Sequence, residues 1–92
     1  MIRSFKHRGL KRLYECDDRS GIRPDLVDTV QEMLTVLDEA VTPQELGLPG
    51  YRLHPLKGDL KGFWSVTVRP NWRIIFRFAG ADAFDVELID YH

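Results

Sequence analysis

The apolar positions of the chain follow two different periods, one in each half. In the first half they recur at the three- and four-residue spacing of helices that bury one face. This spacing predicts a first helix over about residues 8–17, which Ser20, Gly21 and Pro24 break. It predicts a second helix over residues 25–40, which Pro24 is well placed to begin. The predicted apolar stripe of the second helix is Leu26, Val27, Val30, Met33, Leu34, Leu37 and Val41.

The second half of the chain alternates apolar and polar residues, which is the period of a strand with one buried face. Residues 63–69 and 72–78 predict a hairpin turning at Pro70 and Asn71, and residues 84–92 predict a last strand. The apolar set, expected to pack under the helices, is Trp64, Val66, Val68, Trp72, Ile74, Phe76, Phe78, Val86 and Leu88. The opposite face is predicted to be polar and open, with Ser65, Thr67, Arg69, Arg73, Arg77, Asp85, Glu87 and Tyr91. The predicted fold class is α+β, with two N-terminal helices packed on one face of a small antiparallel β-sheet.

A loop separates the two halves. Thr42, Pro43 and Glu45 predict a short capped turn before it, and residues 47–62, GLPGYRLHPLKGDLKG, then fit neither period. A loop this long in so small a domain is usually functional or disordered. We expect function, because the segment carries the basic side chains of Arg52, His54, Lys57 and Lys61 among apolar residues.

Length and composition indicate one ordinary globular domain spanning residues 1–92. A hydrophobic fraction of 43% and a charged fraction of 29% are typical of such domains. Cys16 is the one cysteine of the sequence, which excludes an internal disulfide and fits a reducing compartment. The sequence shows neither a signal-peptide pattern nor an apolar run long enough for a membrane span, so we expect a cytoplasmic protein with no membrane partner.

Charge is distributed in four blocks that the net charge of −1 conceals. Residues 1–23 carry seven Lys or Arg against three acids, and residues 24–50 carry six acids without a base. Residues 51–77 carry six bases against Asp59 alone, and residues 78–92 carry four acids without Lys or Arg. If folding brings the two basic blocks together, a polyanion would meet a positive local field. Solvated charged faces without a partner are the other interpretation.

The long loop and the open face together hold the groups needed to cleave RNA. A base can deprotonate the ribose 2′-hydroxyl, an acid can protonate the departing 5′-oxygen, and cations can stabilise the phosphoryl oxygens. The histidines would transfer protons, the lysine and arginine would hold the phosphate, the aspartate would orient a histidine, and the tyrosine would stack on a base or donate a proton. The candidates are His54, Lys57, Arg73, Asp90, Tyr91 and His92.

Other chemistries find less support. Cys16, His7, His54 and His92 show no spacing typical of a zinc site, and the sequence lacks the glycine-rich strings of nucleotide-binding loops. We therefore expect neither a metal nor a cofactor. Each candidate residue type also occurs as an ordinary loop or surface residue, so composition alone leaves the RNA-cleaving site a hypothesis.

Four segments together resemble one known family. They are MIRSFKHRGLKRLYE at the start, YRLHPLKGDLKGFWSV in the loop, VRPNWRIIFRF in the hairpin and DYH at the end. Their combination and order, over nearly the whole chain, resemble the HigB branch of the RelE/ParE toxin superfamily. The resemblance implies a bacterial type II toxin that enters the ribosomal A site and cleaves messenger RNA during translation. It also implies a catalytic group made of the same candidates, namely His54, Lys57, Arg73, Asp90, Tyr91 and His92.

The resemblance further implies partners for the toxin. They are a HigA-like antitoxin with a helix-turn-helix fold, the ribosome with its messenger RNA, and operator DNA bound through the antitoxin complex. Toxins of this superfamily are commonly strongly basic, whereas the pI here is about 6.3. Two alternatives stay open: a ParE-like toxin that inhibits DNA gyrase by protein contact, and a catalytically silent partner that only helps an antitoxin to repress transcription.

Overall fold

The computed structural model describes residues 1–90, so that Tyr91 and His92, two of the predicted catalytic residues, lie outside the described residues. The described chain forms two α-helices and one four-stranded sheet. The helices are α1 (Arg8–Cys16) and α2 (Val27–Glu39). The strands are β1 (His54–Pro55), β2 (Phe63–Arg69), β3 (Trp72–Ala79) and β4 (Asp82–Asp90). Neither helix is long and apolar enough to cross a membrane.

The sheet is an antiparallel meander in the order β1-β2-β3-β4. Pro70 and Asn71 form the turn between β2 and β3, which confirms the predicted hairpin. The register shifts once on each side of β3, at Val68 in β2 and at Asp85 in β4, where an extra residue bulges from the ladder. The helices and one face of the sheet share a single core, so the predicted α+β class is confirmed.

The ends of the helices depend on local hydrogen bonds. His7 precedes α1, and its Nδ1 accepts the Leu10 N–H at 3.1 Å. A short 3-10 turn, Pro24–Leu26, leads into α2. The capping box at Thr42 and Glu45 is confirmed, since the Glu45 carboxylate accepts the Thr42 N–H at 2.9 Å.

The core contains most of the predicted apolar positions. The stripe of α2 is buried as predicted except for Val41, which is 55% exposed. That part of the prediction is wrong because α2 ends at Glu39 and Ala40 is already extended, with ψ of 143°. Phe76 of β3 is fully buried at the centre of the sheet.

The backbones of α1 and the following loop touch at two glycines. A Cβ atom built on Gly9 would lie 2.3 Å from the carbonyl oxygen of Gly21. A Cβ atom on Gly21 would lie 2.7 Å from Cα of Gly9. Any larger residue at either position would force the two segments apart, so this contact fixes how the loop returns from α1 toward α2.

The prediction of a polar, open sheet face is wrong in the middle of that face. Ser65 is 0% exposed and Ile75, directly opposite it on β3, is 3% exposed. Ile89 of β4 lies on the same face, opposite Arg73. The error has a physical reason: the long loop folds back beside β2, so that its side chains Leu56 and Leu60 line the same cavity as Ser65 and Ile75. The middle of this face therefore forms a cavity with an apolar floor.

Candidate active site

A cavity of about 280 Å³ opens on the face of the sheet that the helices leave uncovered. Three of the predicted catalytic side chains line it together, those of His54, Lys57 and Arg73. The rest of its wall is mostly apolar, formed by Leu56, Leu60, Ser65, Ile75 and Ile89. Cationic and titratable groups on an apolar floor are the usual composition of a site that binds a polar ligand. Among residues 1–90, no group of three or more His, Cys, Asp or Glu side chains is arranged to hold a metal ion.

The loop is held against the sheet by backbone pairing. His54 in the two-residue strand β1 pairs with Ser65 of β2, and the Leu56 N–H donates to the Phe63 carbonyl at 2.9 Å. Lys57 follows, and Gly58, with φ of +66°, begins the 3-10 turn that leads the chain back to β2. These bonds fix His54 and Lys57 beside β2, so their proximity to Arg73 of β3 does not depend on a free loop.

The His54 ring is oriented by the main chain. Its Nδ1 lies 3.0 Å from the carbonyl oxygen of Arg52. A carbonyl oxygen only accepts hydrogen bonds, so this contact requires a proton on Nδ1 and leaves Nε2 as the nitrogen that gains or loses a proton. Arg52 itself adopts a left-handed conformation, with φ of 52°, which is uncommon for a residue with a side chain.

Strands β3 and β4 supply the other predicted residues. Arg73 lies between Thr67 of β2 and Ile89 of β4 in the ladder. Asp90 is the exposed last residue of β4, opposite Trp72, and it does not line the cavity. The structure thus brings three of the six candidates into one cavity. The fourth, Asp90, follows the cavity residue Ile89 in the chain.

Ser65 is a cavity residue that the sequence did not reveal. Alternation along β2 assigned it only to the polar face, without a role. Its side chain is fully buried, and its hydroxyl has no hydrogen-bond partner among residues 1–90. A buried hydroxyl without a partner costs about 1–3 kcal/mol. The pairing of Ser65 with His54 would have placed Ser65 in the site, but β1 has two residues and so shows no period in the sequence.

Salt bridges balance only part of the charge in each basic block of the sequence. In the first block, Arg3, Arg19 and Arg23 form salt bridges with aspartates, and in the second block Arg77 does so. Four other side chains of the second block form no salt bridge with any residue that the structure describes; these are Arg52, Lys57, Lys61 and Arg69. The cationic side chains that line the cavity, Lys57 and Arg73, both belong to the second block.

Comparison with known proteins identifies the family. Residues 3–92 match the family described as HigB-like toxin, the RelE-like toxin of the type II toxin-antitoxin system HigB. The chain belongs to the HigB-like toxin family. It is 49% identical to the endoribonuclease HigB of Proteus vulgaris over 92 residues, which is 100% of both chains.

Solved structures of RelE-like toxins share the fold. YafQ from E. coli strain BL21(DE3) superposes with a TM-score of 0.65 at 16% identity, covering 98% of this chain and 93% of YafQ. A chain of the heterotetrameric YoeB-YefM toxin-antitoxin complex from Staphylococcus aureus gives a TM-score of 0.62 at 16% identity, covering 100% and 98%. At such low identity these likenesses support the fold alone.

Proposed function

We propose that this chain cleaves messenger RNA on translating ribosomes and that the cavity of His54, Lys57 and Arg73 is its active site. Membership of the HigB-like family and the full-length endoribonuclease relative make the chain a type II toxin with endoribonuclease activity. The ribosomal A site, the messenger substrate and the roles of individual residues are the proposed part. The convergence of these three side chains in one cavity is the observation that carries it.

The proposed reaction uses the ribose 2′-hydroxyl as its nucleophile. The 2′-oxygen attacks the adjacent phosphorus, the bond to the 5′-oxygen breaks, and a 2′,3′-cyclic phosphate and a free 5′-hydroxyl result. His54 Nε2 faces the reaction as a proton acceptor or donor because Nδ1 is engaged by the Arg52 carbonyl. Lys57 and Arg73 stabilise the negative charge that builds on the phosphoryl oxygens. This chemistry requires no metal or cofactor.

The last three residues complete the proposed catalytic group. Asp90, Tyr91 and His92 follow Ile89, which is part of the cavity wall. In this proposal His92 supplies the second proton-transferring imidazole, Tyr91 stacks on a base or donates a proton, and Asp90 orients one histidine.

The proposed partners follow from the family. Toxins of type II systems are held inactive by an antitoxin, and here a HigA-like helix-turn-helix protein would fill that role and carry the complex to operator DNA. The toxin would act in the cytoplasm, where ribosomes and messengers are found. A gene for a small helix-turn-helix protein beside the gene for this chain would support this set of partners.

The three histidines of the sequence give a matched test. His54→Ala and His92→Ala should each slow messenger cleavage by roughly 10²-fold to 10⁴-fold, as expected for loss of an acid or base. His7→Asn should cleave like the wild type, because His7 caps α1 and asparagine can accept the same bond. The measurement is the mapping of messenger ends after induction of each variant. Equal cleavage by wild type and His54→Ala would overturn the proposed site.

Two alternatives predict different results. A gyrase inhibitor would block DNA supercoiling by purified protein while leaving messengers intact, and the family match does not favour it. A catalytically silent partner would cause no growth arrest when expressed without an antitoxin.

A further inference from the structure

A second cavity adjoins the candidate active site on the same side of the sheet. It has a volume of about 370 Å³, and Arg73 belongs to the walls of both cavities. Two further arginines, Arg52 from the loop and Arg69 from the end of β2, line the second cavity, whose wall includes neither aspartate nor glutamate among residues 1–90. Three guanidinium groups around one opening favour an anionic ligand.

The arginines of this cavity are set by the backbone around them. The Thr67 N–H donates to the Tyr51 carbonyl at 2.7 Å, which joins the residue before Arg52 to β2. Thr67 in turn pairs with Arg73 across the β2-β3 ladder. Arg52 and Arg73 are therefore anchored on either side of the same β2 residue. The carbonyl of Arg52 also holds the His54 ring, so one residue contributes to both cavities.

The carboxylate of Asp25 is engaged mainly by an arginine outside the second cavity. Its two oxygens accept from Arg23 at 2.8 and 2.9 Å. Arg69 donates to the Asp25 carbonyl oxygen instead, at 3.1 Å, and forms no salt bridge within residues 1–90, although the charge of the Asp25 carboxylate is close enough to interact with it. Arg52 and Arg69 are both exposed to solvent. A bound phosphodiester would find charged, accessible donors there.

We propose that this second cavity binds the phosphate next to the scissile one in the RNA strand, through the guanidinium groups of Arg52 and Arg69. This inference rests on the proposed function, because it takes the cavity of His54 as the place where the strand is cut. Arg73, on the wall between the two cavities, lies between consecutive phosphates. The second cavity fixes the position of the strand and takes no part in proton transfer.

A neutral phosphate in the substrate tests this contact directly. Messengers carrying one methylphosphonate, at the phosphate 5′ or 3′ of the scissile one, are placed on programmed ribosomes. Single-turnover cleavage is then followed with toxin in excess. The wild type should need on the order of tenfold more toxin for half-maximal cleavage at one of the two positions, since a charged hydrogen bond is lost. The rate at saturation should stay within about twofold.

The variant Arg52→Gln should weaken binding of the unmodified messenger by up to about tenfold, and the methylphosphonate should then cost it less than it costs the wild type, because only the contact with Arg69 is left to lose. Arg52→Lys, which keeps the charge but loses the two-pronged donor, should recover part of the affinity. Arg69→Gln should behave like Arg52→Gln, with its fold verified by urea unfolding because Arg69 also contacts Asp25. Arg12→Gln, an exposed arginine on α1, is the matched control and should behave like the wild type on both messengers.

The outcomes separate the two proposals. If the effects of Arg52→Gln and of the methylphosphonate multiply at both positions, the second cavity binds neither neighbouring phosphate and this inference is overturned. Loss of cleavage in His54→Ala would still leave the proposed function standing. If His54→Ala cleaves like the wild type, the active-site assignment itself fails. A weakening by Arg52→Gln without coupling to either phosphate would mean that Arg52 contacts another molecule, which also overturns the inference.

Discussion

The hydroxyl of Tyr14 donates a hydrogen bond of 2.6 Å to Oδ1 of Asp38, which joins α1 to α2. The same carboxylate oxygen accepts the N–H of Ile2 at 3.0 Å, so the segment before α1 is tied to both helices. Burial alone would raise the pKa of Asp38, but these two hydrogen bonds and the N-terminal ammonium lower it overall. One carboxylate thus connects three segments of the chain.

Replacing Tyr14 with phenylalanine should lower the free energy of unfolding by about 1 kcal/mol, a value discounted for the exposure of the site. The ring would keep its contact with Phe5, whose centroid lies 5.3 Å away, so the change isolates the hydrogen bond. Urea unfolding at pH 7 measures the difference. Asp38→Ala, which removes the acceptor, and the double variant complete a cycle; additive losses would show that the two side chains do not interact.

Alkaline unfolding should also depend on Tyr14. The hydrogen bond to Asp38, burial and the charge of Asp38 raise its pKa from 10.0 to about 12. Because the folded pKa lies above the ordinary one, this stabilisation is fully present below pH 10 and is lost as pH rises from 10 to 12. The loss of stability over that range should therefore be shallower in Tyr14→Phe. Phenolate absorbance, as wild type minus variant, should show a group titrating near pH 12; a difference titrating at pH 10 would contradict the prediction.

Acid pH should weaken the contact between Arg77 and Asp85, whose Nε and Oδ2 atoms lie 2.7 Å apart. The hydrogen bond from Arg77 lowers the pKa of Asp85 below 3.8. A depressed folded pKa means that the stabilisation is present above pH 3.8 and is lost as pH falls through the folded value. Asp85→Asn should cost about 1 kcal/mol at pH 7, and the gap from wild type should narrow below pH 3.8.

The control for this acid effect is Glu32→Gln on the exposed side of α2, which removes a charge without removing a salt bridge. The difference in the free energy of unfolding between Glu32→Gln and the wild type should change little between pH 7 and acid pH. A gap for Asp85→Asn that stays constant with pH would mean that the negative charge of the Asp85 carboxylate does not stabilise the fold through Arg77.

Gly9→Ala should destabilise the protein although it lies in a helix. In an ordinary helix, alanine in place of glycine stabilises by up to about 1 kcal/mol. Here the added methyl would meet the Gly21 carbonyl oxygen at 2.3 Å, so a loss of at least about 2 kcal/mol is expected. Glu15→Ala in the same helix is the control. Stabilisation by Gly9→Ala in urea unfolding would disprove the contact.

Ser65→Ala should leave the free energy of unfolding unchanged within about 0.5 kcal/mol, or raise it, because it removes a buried hydroxyl without a partner among residues 1–90. Its neighbour Val66, buried on the other face, provides the contrast, since Val66→Ala should cost about 1–3 kcal/mol. If Ser65→Ala instead costs more than about 1.5 kcal/mol, the hydroxyl stabilises the fold.

The long periodic segments were predictable and the short contacts were not. The stripe of α2 and the alternation of β2 and β3 repeat often enough to define their elements, because each repeat buries another side chain on the same face. The pairing of His54 with Ser65 involves a two-residue strand, which has no period to detect. The buried Ser65 and Ile75 were missed for the same reason, since only the loop's return to β2 covers them.

The sequence allowed the residue types of the candidate site to be predicted, and part of its location. Chemistry selected His54 and Lys57 in the loop and Arg73 in a later strand, and the cavity brings all three together. The role of the Arg52 carbonyl could not be predicted, since main-chain groups leave no trace in side-chain identity. The catalytic roles of all six candidates, His54, Lys57, Arg73, Asp90, Tyr91 and His92, stay predictions.

The position of Arg73 complicates the interpretation of mutagenesis at this residue. A guanidinium group that belongs to two adjoining cavities cannot be removed from one of them alone. If both proposals hold, an inactive Arg73 variant would combine two effects, the loss of charge stabilisation at the scissile phosphate and the loss of binding to the neighbouring nucleotide. Dissecting the two requires single-site substitutions on either side, at Lys57 and at Arg52, with the shared arginine left in place.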